Sequence, residues 1–230
     1  MSLIVHFSPP VQHNTIFPIF LIRLSFVLIP CLSISCFVFN SPQNARMLHK
    51  QQGDIGIESN ATNVQQGIRA YDSFGLGARA GYGFSDRFSL YARYQWVKLL
   101  NVRDVDYHYV ALEPKFGIIR DIAAVALPVG FFAGQDVNAT ESVQFHPTIL
   151  FTIPVSQTFE VNLSPEAVVF VPTFDYLLVI NAGFGLSTNL DRWAIRPQFS
   201  VAVNPETRAP VFSGCIGFSV ETTAMRTLGK

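Results

Sequence analysis

Three histidines lie beyond residue 40, and His108 is the one whose neighbours could make it a catalyst. It stands in RDVDYHYV beside Asp104 and Asp106, and a carboxylate next to an imidazole can orient it as a general base. Near the rim of a barrel, such a pair would suit a hydrolase. No GxSxG supplies a nucleophile, however, and Ser164-Pro165-Glu166 lacks the context of a nucleophile elbow. His108 therefore reads as a polar residue near a loop. His146 shares parity with Thr148 and Thr152 and reads as an interior hydrogen-bonding group. Glu113 and Lys115 are two residues apart on one strand face, with Glu160 and Glu166 within reach across a barrel. A proton relay could be assembled from these four, but an interior salt-bridge network explains them more simply.

Metal and thiol chemistry are equally thin. Asp136, Asn138 and Glu141 share a loop and could approach calcium, yet they lack the order of an EF-hand. Cys31, Cys36 and Cys215 form no CxxC pair and no His/Cys ligand spacing, so neither a zinc site nor a disulfide framework is expected. No catalytic residue, metal or cofactor is expected.

The elements that would position these side chains are strands. In SFGLGARAGYGFSDRFSLYARYQW, Phe74, Leu76, Ala78, Ala80, Tyr82 and Phe84 alternate with Ser73, Gly75, Gly77, Arg79, Gly81 and Gly83. After a turn at Ser85-Asp86-Arg87, Phe88, Leu90, Ala92, Tyr94 and Trp96 resume the apolar parity. Period two marks a strand whose two faces meet different surroundings. The scheme returns in YVALEPKFGII, VALPVGFFAG, FHPTILFTIPV, FEVNLSPEAVVFV, YLLVINAGFGLSTN, WAIRPQFSVAVN and VFSGCIGFSV. Gly53-Asp54-Ile55-Gly56-Ile57 is a short first strand inside an otherwise polar stretch over 43–72. About ten strands of roughly ten residues result, the length a tilted strand needs to cross a bilayer. Pro114, Pro128, Pro147, Pro154, Pro165 and Pro197 fall within these runs. A closed sheet has no free edge for a missing donor, so bulges or strand ends must absorb them.

Composition agrees. Hydrophobic residues make up 49% of the 230 and charged ones only 14%, short of the roughly 25% usual in soluble domains. A net charge of +0 argues against nucleic acid as a partner. Beyond the first 40 residues no apolar run approaches the roughly 18 that a membrane helix needs.

Which face meets lipid follows from the glycines. A soluble barrel with Phe and Leu inside would wear evenly spaced glycine as its outer coat, which is costly to strand stability. Reversed, small residues leave room inside a narrow barrel and a few long charged ones fill it. Arg79, Arg93, Glu113, Lys115, Glu160, Glu166 and Arg196 all fall on the small-residue face and form the expected interior polar cluster. Tyr82, Phe84, Phe88, Tyr94, Trp96 and Trp193 fall on the other, as aromatic belts do.

Residues 24–36, LSFVLIPCLSISC after Arg23, describe an export signal: a basic residue, a short apolar core and small residues before a cysteine. LSISC is similar to a bacterial lipobox, which makes Cys36 a candidate for lipidation. Residues before Arg23 add nothing a signal needs and read as an over-long start. The stretch 36–96, with Cys36, Asn40, Pro42, Asn44, Met47, Leu48, Gly53 and Asp54 followed by GYGFSDRFSLYARY, resembles small exported proteins of Bacteroidetes-type bacteria. FGLSTNLDRWAIRPQFSVA is similar to the closing hairpins of outer-membrane β-barrel proteins. The resemblance implies an exported barrel and no catalytic residue.

The expected organisation is a signal segment over 1–36, a polar spacer over 37–52, a barrel over 53–221 and a tail over 222–230. The expected fold is all-β, a closed antiparallel up-and-down transmembrane barrel in the bacterial outer membrane. Its expected partners are membrane lipid and N-terminal acyl chains, and its role structural or surface-interacting. A lipid-tethered soluble periplasmic carrier of an apolar ligand is the alternative, and a rim-sited hydrolase a weaker one.

Overall fold

The computed structural model describes residues 41–66, 69–100, 105–134, 142–171, 173–205 and 210–222. Cys36, the signal segment, Asp104 and the loop holding Asp136, Asn138 and Glu141 lie outside them. The described residues form twelve strand segments: β1 (Gly53–Gln66), β2 (Arg69–Ser85), β3 (Phe88–Leu99), β4 (Asp106–Ile119), β5 (Ala123–Ala126) and β6 (Val129–Gly134). The second half comprises β7 (Gln144–Phe145), β8 (Thr148–Pro154), β9 (Phe159–Phe170), β10 (Asp175–Leu186), β11 (Trp193–Val203) and β12 (Pro210–Thr222).

Every pairing is antiparallel, and the last strand returns to the first, from Gly53 opposite Thr222 to Asn63 opposite Phe212. β9 pairs with β10, so the sheet has no edge and closes into a barrel. β5 and β6 lie end to end beside β4, and β7 and β8 lie end to end beside β9. The twelve segments therefore build ten crossings in up-and-down order. Turns at 86–87, 120–122, 156–158 and 190–192 gather at one rim, with the start of β1 and the end of β12. The other ends of these strands, among them Leu99, Asp106, Gly134, Gln144, Phe170, Asp175, Val203 and Pro210, gather at the other rim.

The prolines explain the breaks. Pro128 and Pro147 stand at the junctions of β5 with β6 and of β7 with β8, where the chain gives up ladder bonds it could not make. Their carbonyls still accept, Pro128 from the His146 amide at 2.8 Å and Pro147 from the Ala167 amide at 3.0 Å. Pro114 accepts from the Leu127 amide at 2.9 Å in the same way. Each proline forfeits a donor only, and the wall stays closed around it.

Side chains divide by parity as the alternation requires. Leu178, Ile180, Phe199 and Ile216 point outward and are exposed, whereas Asn181, Ser200 and Ser213 on the opposite parity are buried. Aromatic pairs line the outer face: Tyr82–Phe84, Phe84–Phe88 and Phe88–Phe116 form a continuous run at the short-turn rim. An outer coat of bare Ile, Leu and Phe is unfavourable in water, while acyl chains solvate it and the closed ladder satisfies the backbone internally.

The first strand is longer than the sequence suggests. Expected over 53–57, it continues to Gln66. The polar residues that disguise it are the ones the barrel interior accepts: Glu58, Asn60 and Thr62 are buried, while Ile55 and Ile57 keep the outer parity. Asn60, in a sequence that matches a glycosylation sequon, is thereby sealed inside.

Replacing outward Ile180 with Arg should cost about 2–4 kcal/mol, as for a cation facing lipid near mid-depth. Urea unfolding of the barrel refolded into vesicles would measure it. Phe84→Arg at the rim should cost no more than about 1 kcal/mol.

Candidate functional site

The lumen is the place where this chain concentrates chemistry, and its floor comes from outside the barrel wall. Residues 41–48, Ser-Pro-Gln-Asn-Ala-Arg-Met-Leu, run without regular structure inside the cylinder before the chain turns at the rim into β1. Gln51 takes a φ of 67° in that turn, and its amide bonds to the Gly83 carbonyl at 2.7 Å. Ala45 and Met47 cluster with Ala124, Ala126 and Leu150 of the wall, and Leu48 is buried too. The segment is a plug.

Side chains of the wall stand in for the ladder that the plug lacks. Thr152 Oγ1 accepts from the Ala45 amide at 2.7 Å, and Gln198 Oε1 from the Gln43 amide at 3.2 Å. Lys115 Nζ donates to the Arg46 carbonyl at 2.6 Å, and Arg79 Nη1 to the Pro42 carbonyl at 3.1 Å. Ser41 Oγ donates to Glu58 at 2.7 Å, and Gln43 Nε2 to Glu113 at 3.3 Å. A buried backbone with no ladder must find such partners or lose about 1–3 kcal/mol per orphaned group.

At the centre of the plug Arg46 binds two carboxylates, Glu160 at 2.5 Å and Asp191 at 2.8 Å. Burial works against its charge, but Glu160 and Asp191 more than offset this and hold its pKa above the ordinary value. The Glu160 side chain is 0% exposed and also meets Arg196 at 3.1 Å, with the Asn44 amide wedged among Glu160, Lys115 and Arg196. Around this centre Arg93 pairs with Glu58 at 2.6 Å and Arg79 with Asp54 at 3.1 Å. Arg79 and Lys115 lie over the Tyr91 ring and Arg93 over the Tyr109 ring, at 5.5–5.6 Å.

The alternating glycines acquire a specific purpose here. A Cβ on Gly217 would stand 2.6 Å from Pro42 Cγ, one on Gly117 2.9 Å from Met47 Cγ, and one on Gly83 would overlap the His49 carbonyl. These three positions are hollowed for the plug. Gly75, Gly77, Gly81, Gly130 and Gly185 instead make room for Asn60, Glu58, Tyr91, Tyr109 and Glu160. Beside Pro42, against Glu58, Arg79 and Arg196, the fit leaves a cavity of about 10 Å³, room for no more than about one water.

Of the seven polar residues expected inside, six gather around the plug: Arg79, Arg93, Glu113, Lys115, Glu160 and Arg196. Glu166 stands apart, nearer the other rim, where its carboxylate meets His146 Nδ1 at 2.7 Å and the Asn181 amide at 3.0 Å. His146 is buried, with Nε2 against Gln144 at 3.0 Å, and Ser200 bonds Asn181 close by. Above this network the lumen turns apolar, lined by Val97, Leu99, Val168, Leu177, Val179 and Val211. Cys215 is buried on the inner parity of β12.

His108 faces outward on β4 and is exposed. Tyr94 orients its imidazole, through a 2.8 Å contact with Nδ1 and ring stacking, where the sequence offered Asp106. Sequence reasoning missed the plug and the apolar upper lumen. Met47-Leu48 after Arg46 was the available trace, an apolar pair in a stretch otherwise read as a spacer.

No family model matches the chain, and no curated protein matches it. Solved structures with which it shares some likeness include Ail, the attachment invasion locus protein of Yersinia pestis, at 13% identity and a TM-score of 0.37, covering 75% of this chain and 99% of that one. The COG4313 outer membrane channel of Pseudomonas putida F1 aligns at 9% identity and a TM-score of 0.43, covering 80% and 100%. The N-terminal β-barrel domain of Pseudomonas aeruginosa OprF aligns at 10% and 0.34, covering 75% and 98%. Likeness at this level transfers no role.

Glu160→Gln should leave Arg46 and Arg196 without their shared charge and cost about 3–5 kcal/mol in urea unfolding. Gly217→Leu should dislodge Pro42 and expose the plug. Trypsin should then cut after Arg46 in the folded variant and spare that bond in the wild type.

Proposed function

We propose that the chain is an outer-membrane β-barrel protein with a structural or surface-interaction role and no catalytic activity. The observation that supports this best is a closed sheet with its apolar face outside and its lumen filled. Leu178 and Phe184 are exposed on the outer wall, while Arg196 is buried within. A soluble carrier needs the reverse arrangement, with the apolar face around its ligand. The two histidines weighed for hydrolysis are also engaged: His108 faces outward against Tyr94, and both nitrogens of His146 have partners. With the lumen occupied, the connections at the rim opposite the short turns are the surface left for a partner to meet.

On this reading residues 1–36 direct export, Cys36 is acylated after cleavage, and lipid is the first partner of the mature protein. The resemblance to Bacteroidetes-type exported proteins supports that placement.

The mature chain should fractionate with outer membranes and migrate faster on gels before heating than after. Mass spectrometry of that fraction should find a chain starting at a modified Cys36. A mature protein that stays in solution without detergent would overturn the reading in favour of the carrier; an unmodified N-terminus would remove the lipid alone.

A further inference from the structure

We infer that the barrel lumen is a binding site for a cationic peptide segment, occupied in cis by residues 41–48, and that emptying it opens a cation-preferring pore. This goes beyond the role proposed above, since it concerns the inside of the barrel and holds whatever the outer loops meet.

The plug has the character of a bound ligand. It contributes no strand to the sheet, and its attachments run through side chains of the wall: Thr152, Gln198, Lys115, Arg79, Glu58 and Glu160. The wall forms a complete ring without it, because β1 pairs with both β12 and β2 from Gly53 onward. Glycines at 83, 117 and 217 shape the wall to its outline. Specificity resides in one side chain, Arg46, which reaches the buried Glu160 on one side and Asp191, 83% exposed at the rim, on the other. Beside it a polar hollow of about 570 Å³ opens between the turns at 156–158 and 190–192, bordered by Arg46, Pro154, Gln157, Asn189 and Asp191. A cationic segment entering from that rim would meet Asp191 first and Glu160 next.

Charge supplies the second argument. Around the plug the wall presents Asp54, Glu58, Glu113, Glu160 and Glu221 against Arg79, Arg93, Lys115 and Arg196. Arg46 supplies one of the two guanidiniums on Glu160 and the partner of Asp191. Its loss makes this end of the lumen more negative by one charge, which favours cations in a narrow low-dielectric passage.

The test is conductance of the full-length protein in planar bilayers, with insertion scored first by heat-dependent gel mobility. Wild type should be closed. A variant with residues 41–48 replaced by an equal run of Gly and Ser should conduct, with a reversal potential shifted toward cations. A synthetic peptide of residues 41–50, added on the side of the short-turn rim, should restore closure at least tenfold more effectively than the same peptide carrying Arg46→Glu. Arg46→Glu in the full chain leaves the wall untouched and should give flickering openings at least tenfold more frequent than wild type. An inserted Gly/Ser variant that stays closed overturns the proposal, as does a peptide that fails to block. If that variant does not fold, an Arg46→Glu protein as silent as wild type overturns it alone. A wild-type chain that does not insert overturns the membrane reading and this one with it.

Discussion

Two guanidiniums meet on one carboxylate inside this barrel, and much of the interior is arranged around that contact. Glu160 belongs to β9, Arg196 to β11 and Arg46 to the plug, so the contact ties two parts of the wall to the segment that fills it. In an interior removed from bulk water, such a charge is tolerable only when fully partnered. Asn44, Lys115 and Gln43 supply the surrounding hydrogen bonds. The constraint then spreads outward. Long charged side chains need space, space inside a narrow cylinder comes from glycine, and glycine at alternate positions generates the pattern that the sequence displays.

The apolar outer wall imposes the complementary constraint. In a membrane interior a strand can leave no ladder group unpaired, and this sheet does close on itself. The register from β12 to β1 accomplishes this, and Pro114, Pro128 and Pro147 are tolerated because each keeps its carbonyl in use. Apolar outside and ionic inside is the inverse of a soluble domain. That inversion explains how 49% hydrophobic residues coexist with a charged centre.

The sequence carries the wall clearly and the contents of the lumen poorly. Alternation over 73–96 shows which side chains point outward, because every second residue belongs to the apolar outer wall. The seven interior charges share one parity for the same reason. β1 is half hidden, since Glu58, Asn60 and Thr62 look like loop until an interior is available to receive them. The plug is hidden more deeply. It has no period, and its partners lie as far away as Gln198, so no local signal links Arg46 to Glu160 or Pro42 to Gly217. The valines at the upper end of the lumen fail the rule for a different reason: there apolar residues occupy both faces, and parity no longer tells inside from outside.

The interrupted strands also make the cylinder mechanically uneven around its circumference. Where the first and last strands meet, β12, β1, β2 and β3 are zipped by long ladders, unbroken between β1 and β2 from Gly53 opposite Tyr82 to Gln66 opposite Arg69. On the far side β5 holds β8 only from Ala123 to Ala126, and β6 holds β7 only at Val129 and Gly130. Breathing of the wall is therefore concentrated away from the β12–β1 seam, along the staves that Pro128 and Pro147 divide. The seam that would be the weak line of a rolled sheet is here its stiffest part.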